Sequence, residues 1–449
     1  MAGDVGDGVD ARRHAYVWTL FAALAAGLAV AALAWHLPMM LWDQLDFAPL
    51  YEAWRGGTLA VSAFASAHNG HLFALPYATL LATTSLSAGA PWADAIPSLL
   101  LLLAYAGIVV RAALRDMPPT RDGGALALAT TFLALYPGDL ADLQWGWQVA
   151  VFFCLLGTAS AVLRLSAPAP TWRTQLGALG AAALAFASFA TALALVPTAL
   201  VLIALRDDLS PARRLACAAP WLAAGALALA FVAAAAPSAA ATAPGPALIA
   251  LYTLNYLGAG VARFATALAP LAAAAALASA LLWFAAATER AKMLPWLGFV
   301  LFGVFGGLAT ALGRAGAFGS GQAFAARYVG LSMPFWIGWI GIAGVALRTA
   351  PRPQAVRVRA AIAFVALLAL VNAVQMTRKA ARTAAEAREI AGAIRTDYPQ
   401  LDDRLLHRAY ADDPAVARRD IDALHRMRLP PFDPGSAELE CAPRPGGAA

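Results

Sequence analysis

Charge is what this sequence has least of. Of its 449 residues only 13% are charged, against 61% hydrophobic. That balance excludes an ordinary soluble domain, which needs a charged surface to stay dispersed. Cysteine is scarce too, with only Cys154, Cys217 and Cys441. Two of these fall in or beside apolar runs, so no disulfide framework, zinc motif or redox pair follows. No small-residue cleavage site closely follows the first apolar run behind Arg12 and Arg13, which points to an uncleaved first span. No internal repeat is visible, so the inverted-repeat signature of many secondary transporters is missing. Basic patches interleaved with aromatics are absent as well. The net charge of +6 reads as topology control and attraction to membrane lipids, with no nucleic-acid partner implied.

What is present is a series of apolar runs of about the length that crosses a ~30 Å hydrocarbon layer. They fall near 15–35, 95–111, 123–137, 147–164, 215–236, 264–287, 294–312, 328–347 and 359–376. The stretch 176–205 is thirty apolar residues long, too long for one upright helix, and "SFAT" at 188–191 divides it into two short helices. The fold class expected is therefore all-α, a polytopic integral membrane helix bundle of about eleven spans. The abundant Ala and Gly suit helices packed closely in lipid.

Orientation follows from the arginines. Residues 348–359 carry Arg348, Arg352, Arg357 and Arg359 and no acid, so this loop is expected on the cytoplasmic side. Counting back puts 288–293, 206–214, 165–175 and 111–122 on that side, and 313–327 and 138–146 on the other. For Arg12 and Arg13 to lie inside as well, 36–94 must be one long external loop. Within it, 71–88 is then a juxtamembrane or re-entrant helix. The expected topology has a cytoplasmic N-terminus and a periplasmic or external C-terminus, in a bacterial inner membrane. Composition changes after 376, so 1–376 reads as the membrane domain, 377–432 as a small helical appendage and 433–449 as a disordered tail.

This topology gathers the unusual polar clusters at one face. "LWDQLD" opens the first loop with Asp43 and Asp46, and "HNGH" adds His68, Asn69 and His71. "YPGDLADLQWGWQ" supplies Asp139, Asp142, Gln144, Trp145, Trp147 and Gln148. "GRAGAFGSGQAFAARY" supplies Arg314, Gln322, Arg327 and Tyr328. Each has an ordinary alternative: interfacial ring anchors, solvated loop acids, or a snorkelling arginine at a span end. Their expected convergence is what suggests a task, since ionisable groups at membrane depth are costly. His68 and His71, three apart, also admit a divalent metal ion as the one candidate cofactor.

An acid in a partly dry pocket can take a proton from an acceptor hydroxyl. Arginines, Gln and the amides of a Gly-rich loop can hold a phosphate as a leaving group. The reaction these parts suggest is glycosyl transfer from a polyprenyl-phosphate sugar to an envelope acceptor, at the outer face and among membrane lipids. On these stretches the chain resembles the GT-C superfamily of membrane glycosyltransferases. The resemblance implies a long first external loop with juxtamembrane helices and makes Asp43 or Asp46 of "WDQLD" the base. It implies binding roles for His68, Asn69, His71, Asp139, Gln144, Trp145, Gln148, Arg314, Gln322, Arg327 and Tyr328. A group of bacterial membrane proteins of unassigned chemistry is similar in "HNGHLF", "WGWQ" and "AARYVGLS", although Gly70 and Leu72 stand where that group has Glu and Arg. The Lys-Pro residues of the aminoarabinose branch are replaced by "FALPY" (73–77). Two alternatives remain open: a transporter or flippase of a lipid-linked amphiphile, with Asn255 and Arg263 on its path, and an envelope scaffold acting through its C-terminal helices.

Overall fold

The protein is described here from a computed structural model covering residues 3–65, 67–68, 71–168, 171–235, 243–410 and 413–433. Among these residues it is helical, apart from a two-residue antiparallel pair, Ala67–His68 with His71–Leu72. The chain opens with α1 (Gly3–Ala34), then a loop carrying α2 (Phe47–Arg55) and α3 (Ala74–Leu86). Next come α4 (Ala95–Asp116), α5 (Arg121–Ala134), the one-turn α6 (Leu140–Leu143), α7 (Val149–Leu165) and α8 (Trp172–Phe186). They are followed by α9 (Leu195–Ala204), α10 (Pro211–Ala235), α11 (Pro246–Ala262) and α12 (Leu268–Ala286). Last are α13 (Arg290–Phe318), α14 (Arg327–Ala346), α15 (Arg352–Asp397), α16 (Asp403–Ala409) and α17 (Pro414–Met427).

Nine helical stretches among the described residues are long and apolar enough to cross a bilayer, as befits a multi-pass membrane protein. They lie in α1, α4, α5–α6, α7, α10, α12, α13, α14 and α15. The two further spans expected from sequence are the halves of 176–205. These are α8 and the segment Ala190–Ala204, broken apart at Ala187–Phe189. At 15 residues each, they are about 22 Å long, short of the hydrocarbon thickness. The 13 residues of α3 are shorter still, so that helix does not cross.

Burial orders the bundle. In α14, 94% of the apolar window is buried, against 17% in α1 and α10. Helix α14 is therefore the core, while α1 and α10 present their sides to lipid. Small residues let the central helices approach: Gly338 meets the Trp296 carbonyl and Gly341 the Trp296 ring, positions where any Cβ would collide.

Hydrogen bonds fix which loops share an end. Arg13 donates to the carbonyls of Leu114, Met117 and Pro118 at 2.6, 3.0 and 3.0 Å, a cation placed on the negative end of α4. Arg348 donates to the Asp116 carbonyl, and Arg359 pairs with Asp122 at 2.6 Å. Buried Arg206 reaches the carbonyls of Leu165 and Ala167 at 2.7 and 2.8 Å. These segments make up an arginine-rich end. At the opposite end the Leu37 amide donates to the Gln144 carbonyl, 3.2 Å, and Arg388 to that of Ala34, 2.7 Å. Arg55 there reaches the Met427 carbonyl at 3.2 Å.

Two features depart from the sequence reading. The composition change at 376 marks no boundary in structure, because α15 runs unbroken for 46 residues from the arginine-rich end into the appendage. Helix α11 was not anticipated. Tyr252 and Arg263 lie eleven residues apart, yet both bond the five-residue turn Ser320–Phe324. The helix therefore runs along that turn, across the loop-bearing end of the bundle.

Arg13→Met keeps the aliphatic stem but removes all three donors. A loss of about 2–3 kcal/mol is expected, read as a lowered unfolding midpoint in detergent; an unchanged midpoint would refute the capping role.

Candidate functional site

The first-loop acids sit on a short tight helix, Trp42–Asp46. Trp42 turns the chain through left-handed backbone, φ 55°, and its ring packs edge-on against Trp145 at 5.2 Å. Asp46 precedes α2 without capping it. Its Oδ2 instead accepts from the Tyr410 hydroxyl at 3.4 Å. Burial pushes the Asp46 carboxyl up to about 6, and the neighbouring Asp420 and Asp43 charges push the same way. Asp43 is half-buried beside it. Asp46 therefore faces the C-terminal helices. Sequence reasoning did not foresee that partnership, because Tyr410 lies 364 residues from Asp46.

The appendage is held over the loop at several points. Arg426 makes a bidentate pair with Glu52, 2.7 and 2.8 Å, and Leu429 packs against Gly89. Beneath Leu424, Leu429 and Pro430 lies a small cavity reaching Gln44, Asp94 and Gln144. Its free volume of about 20 Å³ admits a water molecule and excludes a sugar. Asp94 is the buried acid there. Thr83 donates to its Oδ1 at 2.7 Å and Gln44 to its Oδ2 at 2.9 Å, and Gly146 leaves room for it. Both oxygens are satisfied, which makes Asp94 a structural tie between α3, α4 and the first loop.

Asp139 and Asp142 lie in a different environment. Both are 2% exposed, and among the described residues Asp139 Oδ1 and Asp142 Oδ2 have no hydrogen-bond partner. A Cβ on Gly330 would lie 2.8 Å from the first oxygen and 3.7 Å from the second. The two acids thus face one point in the first turn of α14, with Arg327 the cation in electrostatic reach of Asp142. Arg327 also stands 5.5 Å over the Tyr328 ring, and Tyr328 packs on Tyr256 at 5.6 Å. Gln322 accepts from the Tyr252 hydroxyl at 3.2 Å, and Arg314 stacks on Phe318 at 5.7 Å. The 136–148 and 313–328 clusters are brought together here.

Of the remaining sequence candidates, those described lie in packing and hydrogen-bond contacts. His71 Nδ1 accepts from the Ala190 amide at 3.0 Å and its ring stacks on Phe189 at 4.6 Å, so it tethers the first loop to the break before α9. His68 pairs through its backbone with His71; its side chain, Asn69 and the tail beyond 433 lie outside the described residues. Gln144, with its amide turned to suit its neighbours, donates to the carbonyls of Trp35 and Ala380 at 3.1 Å each. Trp145 is half-buried against Trp42, and Gln148 is buried at the start of α7. Among the described residues no three His, Cys, Asp or Glu side chains gather as a metal ligand set.

One network was missed. Asn372 Nδ2 donates to the Tyr136 hydroxyl and the Gly260 carbonyl, both 3.0 Å, while its Oδ1 accepts from the Arg263 amide, 3.0 Å. A lone Asn inside the apolar "LLALVNAVQM" was the available signal, since lipid tolerates no unpaired amide. No family model, no curated protein and no solved structure matches this chain.

The Asp46 carboxyl ordinarily titrates near 3.8; burial raises it to about 6, so the folded state favours its neutral form, while the hydrogen bond from Tyr410 opposes the rise. Asp420, also raised by burial, acts in the same sense, with Arg419 opposing. Glu52 is lowered by Arg426, so that pair persists throughout pH 5–7. The stability that Asp46 contributes to the folded state is complete below about 3.8 and lost as pH rises through about 6. Hydrogen-exchange protection factors of α16 and α17 should rise from pH 7 to pH 5, and Asp46→Asn should flatten the change. Protection in the wild type that ignores pH would refute it.

Proposed function

We propose that the protein is a membrane glycosyltransferase that moves a sugar from a polyprenyl-phosphate donor to an envelope glycan, lipid or protein acceptor. In this reading the loop-bearing end is the outer face of a bacterial inner membrane and the arginine-rich end is cytoplasmic. The observation that carries the reading is Asp46: a half-buried acid directly after the first span, held near 6. That value leaves it ionised at neutral pH yet close enough to accept a proton in the transition state. The acceptor hydroxyl loses its proton to Asp46 as its oxygen attacks the anomeric carbon. The bond to the phosphate oxygen breaks and the lipid phosphate leaves with the electron pair. Cations at the same end stabilise that leaving group. The likeness of "WDQLD" to the first-loop acid of GT-C enzymes supports the same assignment, with Asp43 beside it.

A second reading has its own observation. Two buried carboxylates with unpartnered oxygens facing Gly330 are what a proton- or cation-coupled transporter of an amphiphile would carry.

In proteoliposomes supplied with a labelled polyprenyl-phosphate sugar, Asp46→Asn should lower transfer by about 10²-fold or more. Transfer should also fall in the wild type as pH drops below about 6. Wild-type transfer in both Asp46→Asn and Asp43→Asn, with lipid movement lost in Asp142→Asn, would replace this reading with transport.

A further inference from the structure

Most arginines of this chain have an evident partner. Arg13 and Arg206 bond carbonyls at helix ends, and Arg359 and Arg426 pair with carboxylates. Arg263 and Lys379 differ. Both are half-buried, and among the described residues neither pairs with a carboxylate. Lys379 lies within electrostatic reach of Arg263 and Arg382, and of the acid Glu386 two turns along the same face of α15. Two like charges drawn together out of water are unfavourable unless an anion joins them.

The Arg263 guanidinium is also held in place. Nε donates to the Phe324 carbonyl at 2.6 Å, and the backbone amide is fixed by Asn372. That leaves the terminal nitrogens, which no carboxylate engages among the described residues: Nη1 lies 3.8 Å from the Met376 sulfur, and the guanidinium carbon stands 5.0 Å over the Phe264 ring. A role as a cap on Phe324 would use Nε alone. Lys379 follows Met376 by three residues, so the two share a face of α15 one turn apart. Met376 is the last apolar residue before "TRK", which sets Arg263 and Lys379 at headgroup level. The neighbouring segments expose apolar side chains: Phe264 (47% exposed) in the turn before α12, Leu268 (46%) and Leu271 (67%) at the start of α12, and Val371 (54%) and Val374 (45%) on α15.

We propose that Arg263 and Lys379 form the binding site for the phosphate of a polyprenyl-phosphate lipid, whose tail lies on the apolar faces of α12 and α15. The proposal rests on the lipid-phosphate reading above and assigns its anion to residues outside the 313–328 cluster. The guanidinium offers two nitrogens to phosphate oxygens and the ammonium a point charge opposite them. An apolar surface next to the cations selects an amphiphile over free phosphate.

The test uses the full-length protein in nanodiscs, with native mass spectrometry reading binding of a short-chain polyprenyl phosphate, the matching polyprenol and phosphatidylglycerol. Arg263→Gln and Lys379→Gln should each weaken polyprenyl-phosphate binding about tenfold, a 1.4 kcal/mol loss, and leave polyprenol unchanged. Among the described residues Lys379 has no hydrogen-bond partner to lose, so its variant tests the site even if Arg263→Gln fails to fold. Wild-type affinity in Lys379→Gln together with a folded Arg263→Gln overturns the site and leaves the donor reading standing. A wild type that binds polyprenyl phosphate no better than polyprenol overturns the donor reading itself. Equal binding of phosphatidylglycerol, lost in the same variants, or displacement by millimolar inorganic phosphate overturns the assignment to a polyprenyl lipid.

Discussion

An amide inside a bilayer must find its partners within the protein, because there is no water to supply them. Asn372 is the place where that requirement shapes this fold. It lies where the apolar part of α15 passes α5 and α11, and its side chain bonds Tyr136, Gly260 and the amide of Arg263. Tyr136 in turn donates to the Ala369 carbonyl at 2.9 Å. Arg263 carries the connection on to Phe324. Four segments distant in sequence are thereby set at fixed spacing near one end of the bundle. Every polar cluster discussed for function adjoins one of them.

The acids at this end show how surroundings assign different work to one functional group. Asp94 has both oxygens bonded by Thr83 and Gln44 and can hold structure only. Asp46 accepts a long hydrogen bond from Tyr410 and is only half-buried, so it can exchange a proton. Asp139 and Asp142 are dry and incompletely bonded, a state that folding tolerates only where something else is gained. Residue type alone makes the four equivalent; their partners separate them.

Local features were legible in the sequence. Apolar runs marked the long helices, "SFAT" marked the break, and arginines without acids marked one end, because each depends on residues within a few turns. The unforeseen parts depend on remote pairings. Helix α11 reads as an ordinary apolar stretch until Gln322 and Phe324 are placed against it. "HNGH" looked like a ligand motif, yet His71 serves an amide 119 residues away. The appendage was recognised as helical from its charge pattern. Nothing in that pattern says that it covers Asp46, since its partners Glu52 and Asp46 lie in the first loop.

The covering helices also impose an order on assembly. Glu52 must wait for Arg426, 374 residues later, and every membrane-length helix among the described residues except α1 lies between them. As segments form while the chain is being made, the first loop stays uncovered until α15, α16 and α17 have been made. Throughout synthesis, then, the segment with the most exchangeable acid is open to the aqueous side, and it becomes enclosed only when the last helices arrive.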